Sequence, residues 1–114
     1  MTVTINGSTG VDIGAGNLTF PDDTTQSTSP IGVDQTWQDV TASRAAGVSY
    51  TNSTGKPIQI FVQTGTAGLV ITIGGLSTTS TGGVTNGQYF TSLIIPNGTS
   101  YSISLTPVKW FELR

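Results

Sequence analysis

The run "SYSISLTP" at residues 100–107 puts Tyr101, Ile103 and Leu105 on one side of an extended backbone. Ser100, Ser102 and Ser104 fall on the other. Alternation with a period of two fits a strand with one buried face. The same grammar recurs along the chain. "PIQIFVQT" sets Ile58, Ile60 and Val62 together, and "GLVITIGG" sets Leu69, Ile71 and Ile73 together. "TWQDVTA", "GVSYT", "GQYFTSLIIP" and "VKWFELR" read as further strands. Turn signals separate these runs every 8 to 12 residues or so, which predicts an all-β fold, an antiparallel β-sandwich or a flattened barrel. "NSTGKP" reads as a turn closing a hairpin over 47–64, and "LSTTSTGG" as a polar loop. "ASRAAG" tolerates a helix, for one turn only.

The residue types agree. Val and Ile total 19 against six Leu, and Thr adds 21. Branching at Cβ suits a pleated surface better than a helix. Only 9% of residues are charged, so hydroxyls and amides must make the surface. A net charge of −2 with four basic residues leaves no phosphate footprint for nucleic acid and no polybasic patch for lipid. No apolar run approaches the roughly 20 residues of a membrane span. The start "MTVTINGS" lacks the charged and apolar regions of a signal peptide.

The chain has no Cys and no His. Disulfides, zinc sites of the Cys/His kind and His-based acid–base catalysis are therefore excluded. Asp22 and Asp23 are adjacent, and on a strand they would point to opposite faces, unlike a glycosidase pair. Asp12, Asp34, Asp39 and Glu112 are scattered. No catalytic residue, metal site or cofactor is expected, with calcium on Asp and backbone oxygens as the minority alternative. The Asn-x-Ser/Thr matches at Asn6, Asn17, Asn52 and Asn97 are expected by chance in a chain this rich in Asn and Thr.

Residues 1–30 differ from the rest. "NLTFPDDTTQSTSP" holds two prolines and paired aspartates, and the region's large apolar side chains are few. Alone it buries too little to offset its ordering entropy. The expected organisation is an extended segment over 1–30 and a β-domain over 31–114. In that domain Trp37, Phe61, Tyr101 and Trp110 are expected in the core. Tyr89 and Phe90 are adjacent, so one must face away from its own sheet. Arg44 is expected to fix a loop through backbone carbonyls.

Several stretches resemble a known family. "LTFPDDTTQSTSP" resembles the "FpDGTxQ" element near the ends of bacteriophage tail-fibre shafts, with Asp23 where glycine is usual. "TWQDVTASRAAGVSYTNSTGKPIQIFV" resembles the start of the small β-sandwich that ends many such fibres. "SLIIPNGTSYSI" and the terminal "WFELR" resemble its end. The resemblance implies a homotrimer whose chains run parallel along a shaft-like segment into a tip. That tip would attach the particle to a bacterial surface glycan or outer-membrane receptor. Upstream tail-fibre or baseplate proteins would hold it in the virion, outside the host cell. Val11, Ile13, Leu18 and Phe20 would then face sister chains, with Trp110 as a further trimer contact. Receptor contact is expected from polar loops, at Asn52, Lys56, Thr66, Ser80 and Tyr89. The alternatives are a monomeric carbohydrate-binding module of a larger secreted protein and a virion or pilus subunit without a receptor. A depolymerase comes last.

Overall fold

The structure is a computed structural model that describes residues 4–6, 10–12, 17–26, 30–80 and 84–114; for 4–6, 10–12 and 84–85 it describes the backbone alone. It is all-β and antiparallel. In chain order the strands are β1 (Thr4–Asn6), β2 (Gly10–Asp12), β3 (Leu18–Thr19), β4 (Thr25–Gln26) and β5 (Trp37–Asp39). A 3-10 turn (Thr41–Ser43) precedes β6 (Tyr50–Thr51), β7 (Ile58–Thr64), β8 (Leu69–Ile73) and β9 (Leu76–Ser80). Then come β10 (Val84–Thr85), β11 (Gln88–Ile95), β12 (Ser100–Ile103) and β13 (Pro107–Leu113). Among the described residues no helix is long and apolar enough to cross a membrane.

Two sheets form the body. One has the order β10-β11-β7-β13-β5, the other β6-β12-β8-β9. The alternating runs supply the core between them. Ile58, Ile60, Val62, Ile95 and Trp110 from the first sheet meet Leu69, Ile71, Tyr101 and Ile103 from the second. Fully burying an aliphatic side chain of this size contributes about 1.5–3 kcal/mol. A bulge in β13 between Pro107 and Lys109 sets the frame in which Trp110 and Glu112 point inward.

Two expectations fail here. Residues 47–64 are not a hairpin: β6 pairs with β12 and β7 with β11 and β13, so the chain changes sheets at Asn52. Nor is "LSTTS" a loop. It is β9, an edge strand whose Ile73↔Leu76 pair closes on β8 through Gly74 and Gly75. Both glycines have positive φ, 56° and 85°, as a two-residue hairpin turn of the mirror-image type requires. Pairing along one side suffices for threonines and serines that face water.

The front segment forms a small hairpin of its own, β3 with β4. The Asp23 amide donates to the Phe20 carbonyl at 3.0 Å, and the Phe20 amide to the Thr24 carbonyl at 2.8 Å. This is a type I turn followed by a left-handed residue. That residue is Asp23, at φ 63°. Asp22 braces the turn by accepting from the Thr24 hydroxyl at 2.6 Å and its amide at 3.1 Å, which holds the Asp22 carboxyl below its usual range. Replacing Asp23 by glycine removes a Cβ from a left-handed position, a gain on the order of 1 kcal/mol. The expected readout is roughly fivefold slower hydrogen exchange at the Phe20 amide. Unchanged exchange would show that the turn is not strained.

Candidate functional site

The register of the five-stranded sheet sorts its side chains into two faces. Phe61 lies between Phe111 on β13 and Ser92 on β11, and Gln63 lies beside Phe90. At one end of the same outward face Trp37, Leu113, Gln59 and Ile94 form a row. The Phe61 ring stacks on Phe90 at 6.1 Å and on Phe111 at 5.9 Å, with planes within 24° and 18° of parallel. Trp37 and Ile94 are 52% and 56% exposed. A shallow depression of about 510 Å³ lies here, lined by Trp37, Gln59, Phe61, Ser92 and Phe111. Trp37 and Phe61 are thus not core residues as the sequence suggested. Of the adjacent pair, Phe90 faces away from the core, and Tyr89 is half-buried on the inner face opposite Thr64.

The ends of the sandwich differ. Residues 30–36 reach it at the end where 52–57, 96–99 and the last residues gather. There the Thr36 and Arg114 backbones exchange hydrogen bonds at 2.9 and 3.1 Å, and Gln35 Nε2 donates to the Pro57 and Leu113 carbonyls at 2.9 and 3.2 Å. Two receptor candidates sit at this end. The Lys56 ammonium donates to the Val33 carbonyl at 3.0 Å. Asn52 is fully buried, which removes it as a surface contact. Its Nδ2 donates to the Lys56 and Ile95 carbonyls at 2.8 and 3.0 Å, and its Oδ1 accepts from the Thr54 hydroxyl and amide at 2.8 and 3.2 Å. Thr66 lies at the opposite end, in the loop after β7. Ser80 ends β9 there, paired with Leu69. The turns at 86–87 and 104–106 share this far end.

The trimer candidates divide as well. Leu18 and Phe20 are 45% and 42% exposed. Trp110 is fully buried in its own core, edge-on to Tyr50 at 5.9 Å, and offers no surface to a neighbour. Its indole N–H is buried without a hydrogen-bond partner. Val11 is described only through its backbone pairing with Ile5, and Ile13 lies outside the described residues.

A buried charge cluster went unseen in the sequence. Glu112 is fully buried on the inward side of β13, two residues after Trp110. Its Oε1 accepts from Arg44 Nε at 2.9 Å and from the Tyr101 hydroxyl at 2.8 Å, and its Oε2 from Arg44 Nη2 at 3.0 Å. Arg114 lies 3.3 Å from Oε2. The guanidinium of Arg44 also sits 4.4 Å from the centre of the Tyr50 ring. Arg44 therefore acts chiefly through a carboxylate, not through backbone carbonyls. Tyr101 and Glu112 belong to different sheets, so the cluster ties the two layers together. Burial comes first, followed by the hydrogen bond to Glu112 and its charge, in pushing the Tyr101 phenol up to about 12 from 10.0. A raised folded-state value means stability that is complete below pH 10 and lost as pH rises towards 12. The urea midpoint should fall across that window, and Tyr101→Phe should flatten the fall. An equal fall in the variant would assign the effect to other groups.

Among the described residues no group of three acidic residues is placed to hold a metal ion. Comparison of the chain with family models, with curated proteins and with solved structures found no match.

Proposed function

We propose that this chain is the tip of a bacteriophage tail fibre, a non-catalytic homotrimer that attaches the particle to a bacterial surface glycan or outer-membrane receptor. Its front segment would run from upstream fibre or baseplate proteins. The observation that carries this is the polarity of the sandwich. The front segment leads into one end through Pro30–Asp34, and that end is closed by the Asn52, Gln35 and Thr36 hydrogen bonds. Among the described residues, the opposite end presents turns at 65–68, 86–87 and 104–106. These segments hold Gly, Ala, Thr, Ser, Leu and Asn and no charge. Loops on a rigid sheet scaffold are where contact with other molecules usually resides. Neutral hydroxyl and amide groups suit a polyhydroxylated ligand. The resemblance of "LTFPDDTTQSTSP" and "WFELR" to fibre sequences supports the same reading.

The test is binding of the purified full chain to bacterial cells and to their extracted surface glycans. Thr66→Ala combined with Asn86→Ala should weaken binding at least tenfold. Lys56→Ala, at the end where residues 30–36 join, should leave it unchanged. Weakening by Lys56→Ala alone would reverse the polarity, and no binding to any surface would favour a purely structural subunit. One feature favours the carbohydrate-binding module instead: the depression beside Trp37, where an exposed indole neighbours Gln59 and Ser92.

A further inference from the structure

We infer that Asn86 is a self-modification site, whose side-chain amide is converted to a carboxylate by attack of the Gly87 backbone nitrogen. Asn97, also followed by glycine, is held unreacted by its hydrogen bonds to the residues around it.

The chemistry belongs to the Asn–Gly pair. The glycine nitrogen gives up its proton to hydroxide and attacks the Asn Cγ. A C–N bond forms, the Cγ–Nδ2 bond breaks, and ammonia leaves with a proton equal to the one that nitrogen lost. The product is a five-membered succinimide. Water opens it at either carbonyl, which leaves an aspartyl or an isoaspartyl residue. Nothing is oxidised or reduced. Glycine favours the step because no Cβ shields its nitrogen and its backbone turns freely.

The chain holds three such pairs, Asn6–Gly7, Asn86–Gly87 and Asn97–Gly98. Gly7 lies outside the described residues, and the other two pairs are exposed turns at opposite ends of the sandwich. At Asn97 both reacting groups are tied. Asn97 Oδ1 accepts from the Gly55 amide at 2.9 Å, and the Gly98 amide donates to the Asn52 carbonyl at 2.7 Å. Asn52 is itself fully buried. Attack requires the Gly98 nitrogen to turn from that carbonyl and the Asn97 side chain to swing away from Gly55. A net hydrogen bond shifts the population of an open state by about fivefold. The two together therefore hold the reaction back more than tenfold.

At Asn86 neither group is tied. Among the described residues no hydrogen bond reaches the Asn86 side chain or the Gly87 N–H. Asn86 sits at φ 52° and Gly87 at φ 73°, the mirror-image two-residue hairpin turn. Ring closure needs the backbone between them to rotate out of this turn. The turn gives way readily, because a left-handed conformation disfavours a residue with a Cβ. The hairpin is also held by two residue pairs, Val84↔Tyr89 and Thr85↔Gln88, at the edge of the sheet. Short pairings of this kind open at the low end of local stabilities.

Conversion adds one negative charge to a chain of net charge −2, at an end whose described turns carry none. The isoaspartyl product also lengthens the backbone by a methylene, which a two-residue turn cannot absorb while β10 stays paired.

The experiment is incubation of the purified full chain at mildly alkaline pH, with the extent of conversion at each Asn read by fragmentation mass spectrometry. Asn86 should convert at least tenfold faster than Asn97, and isoelectric focusing should show a more acidic species growing in step. In urea the two sites should react at nearly equal rates, since only the fold separates them. Asn52→Ala loosens the end that holds Gly98, so it should speed Asn97 several-fold and leave Asn86 unchanged. Equal rates in the folded chain, or a faster Asn97, would overturn the inference. So would a folded chain in which Asn86 stays intact while the unfolded chain converts. A difference that persists in urea would assign the selectivity to neighbouring residues in sequence and overturn the role of the fold. If Asn52→Ala does not fold, the folded and urea rates of the wild type still decide.

Discussion

Replacing Glu112 by alanine is expected to lower the unfolding free energy by about 3–5 kcal/mol, the loss typical of breaking a buried ion pair from one side. That is a large share of the 5–15 kcal/mol or so that holds a small domain together. The carboxylate is fully buried and accepts from Arg44 and Tyr101, with Arg114 beside it. Alanine leaves a guanidinium and a phenol facing a void. Glutamine keeps an acceptor for Tyr101 but removes the charge, so its loss should be intermediate. Replacing both ends, Arg44→Met with Glu112→Leu, should be milder than Glu112→Ala, because no charge is left stranded. Urea unfolding of the four proteins checks the order. A Glu112→Ala loss below about 1 kcal/mol would mean that water reaches the cluster and that the pair is worth no more than a surface one.

Asn52→Ala should come next, at about 2–3 kcal/mol, since a buried amide is removed and the groups it satisfied stay behind. The Ile95 carbonyl and the Thr54 amide lose their partner, and both border the point where the chain changes sheets. The loss should also have a place. Hydrogen exchange should quicken at Gly55 and Gly98, whose amides donate to Asn97 and to the Asn52 carbonyl, more than at Ile60 in the middle of β7. Uniform quickening would make Asn52 an ordinary core residue instead of the organiser of that end. Aspartate is no substitute, because it cannot donate to two carbonyls.

The strands were legible where alternation was clean, as at Ile58–Thr64, Leu69–Ile73 and Ser100–Ile103. Which face of a strand is buried was legible only when one side was uniformly apolar. Phe61 looked like core material by type, yet it shares its side with Gln59 and Gln63, and that company was the available signal. Glu112 stood in the sequence only as one of four scattered acidic residues. Its parity with Trp110 points it inward, but charge argues for water unless a partner is known, and Arg44 lies 68 residues away. The Gly-Gly between "LVITI" and "LSTTS" carried a hairpin signal that a polar composition obscured. The sheet change at Asn52 had no local signal, since "NSTGKP" is equally good as a hairpin turn.

The paired backbones of Thr36 and Arg114 have a mechanical consequence. Strand β5 enters the sheet at the end where residues 30–36 join it, and Val40 is bonded to Trp110 further along the same ladder. A pull between residues 30–36 and the far turns is directed along the strands, so these hydrogen bonds are strained together in shear and not peeled one after another. A sandwich pulled between its far turns and residues 30–36 therefore resists as a unit, up to a sharp yield point.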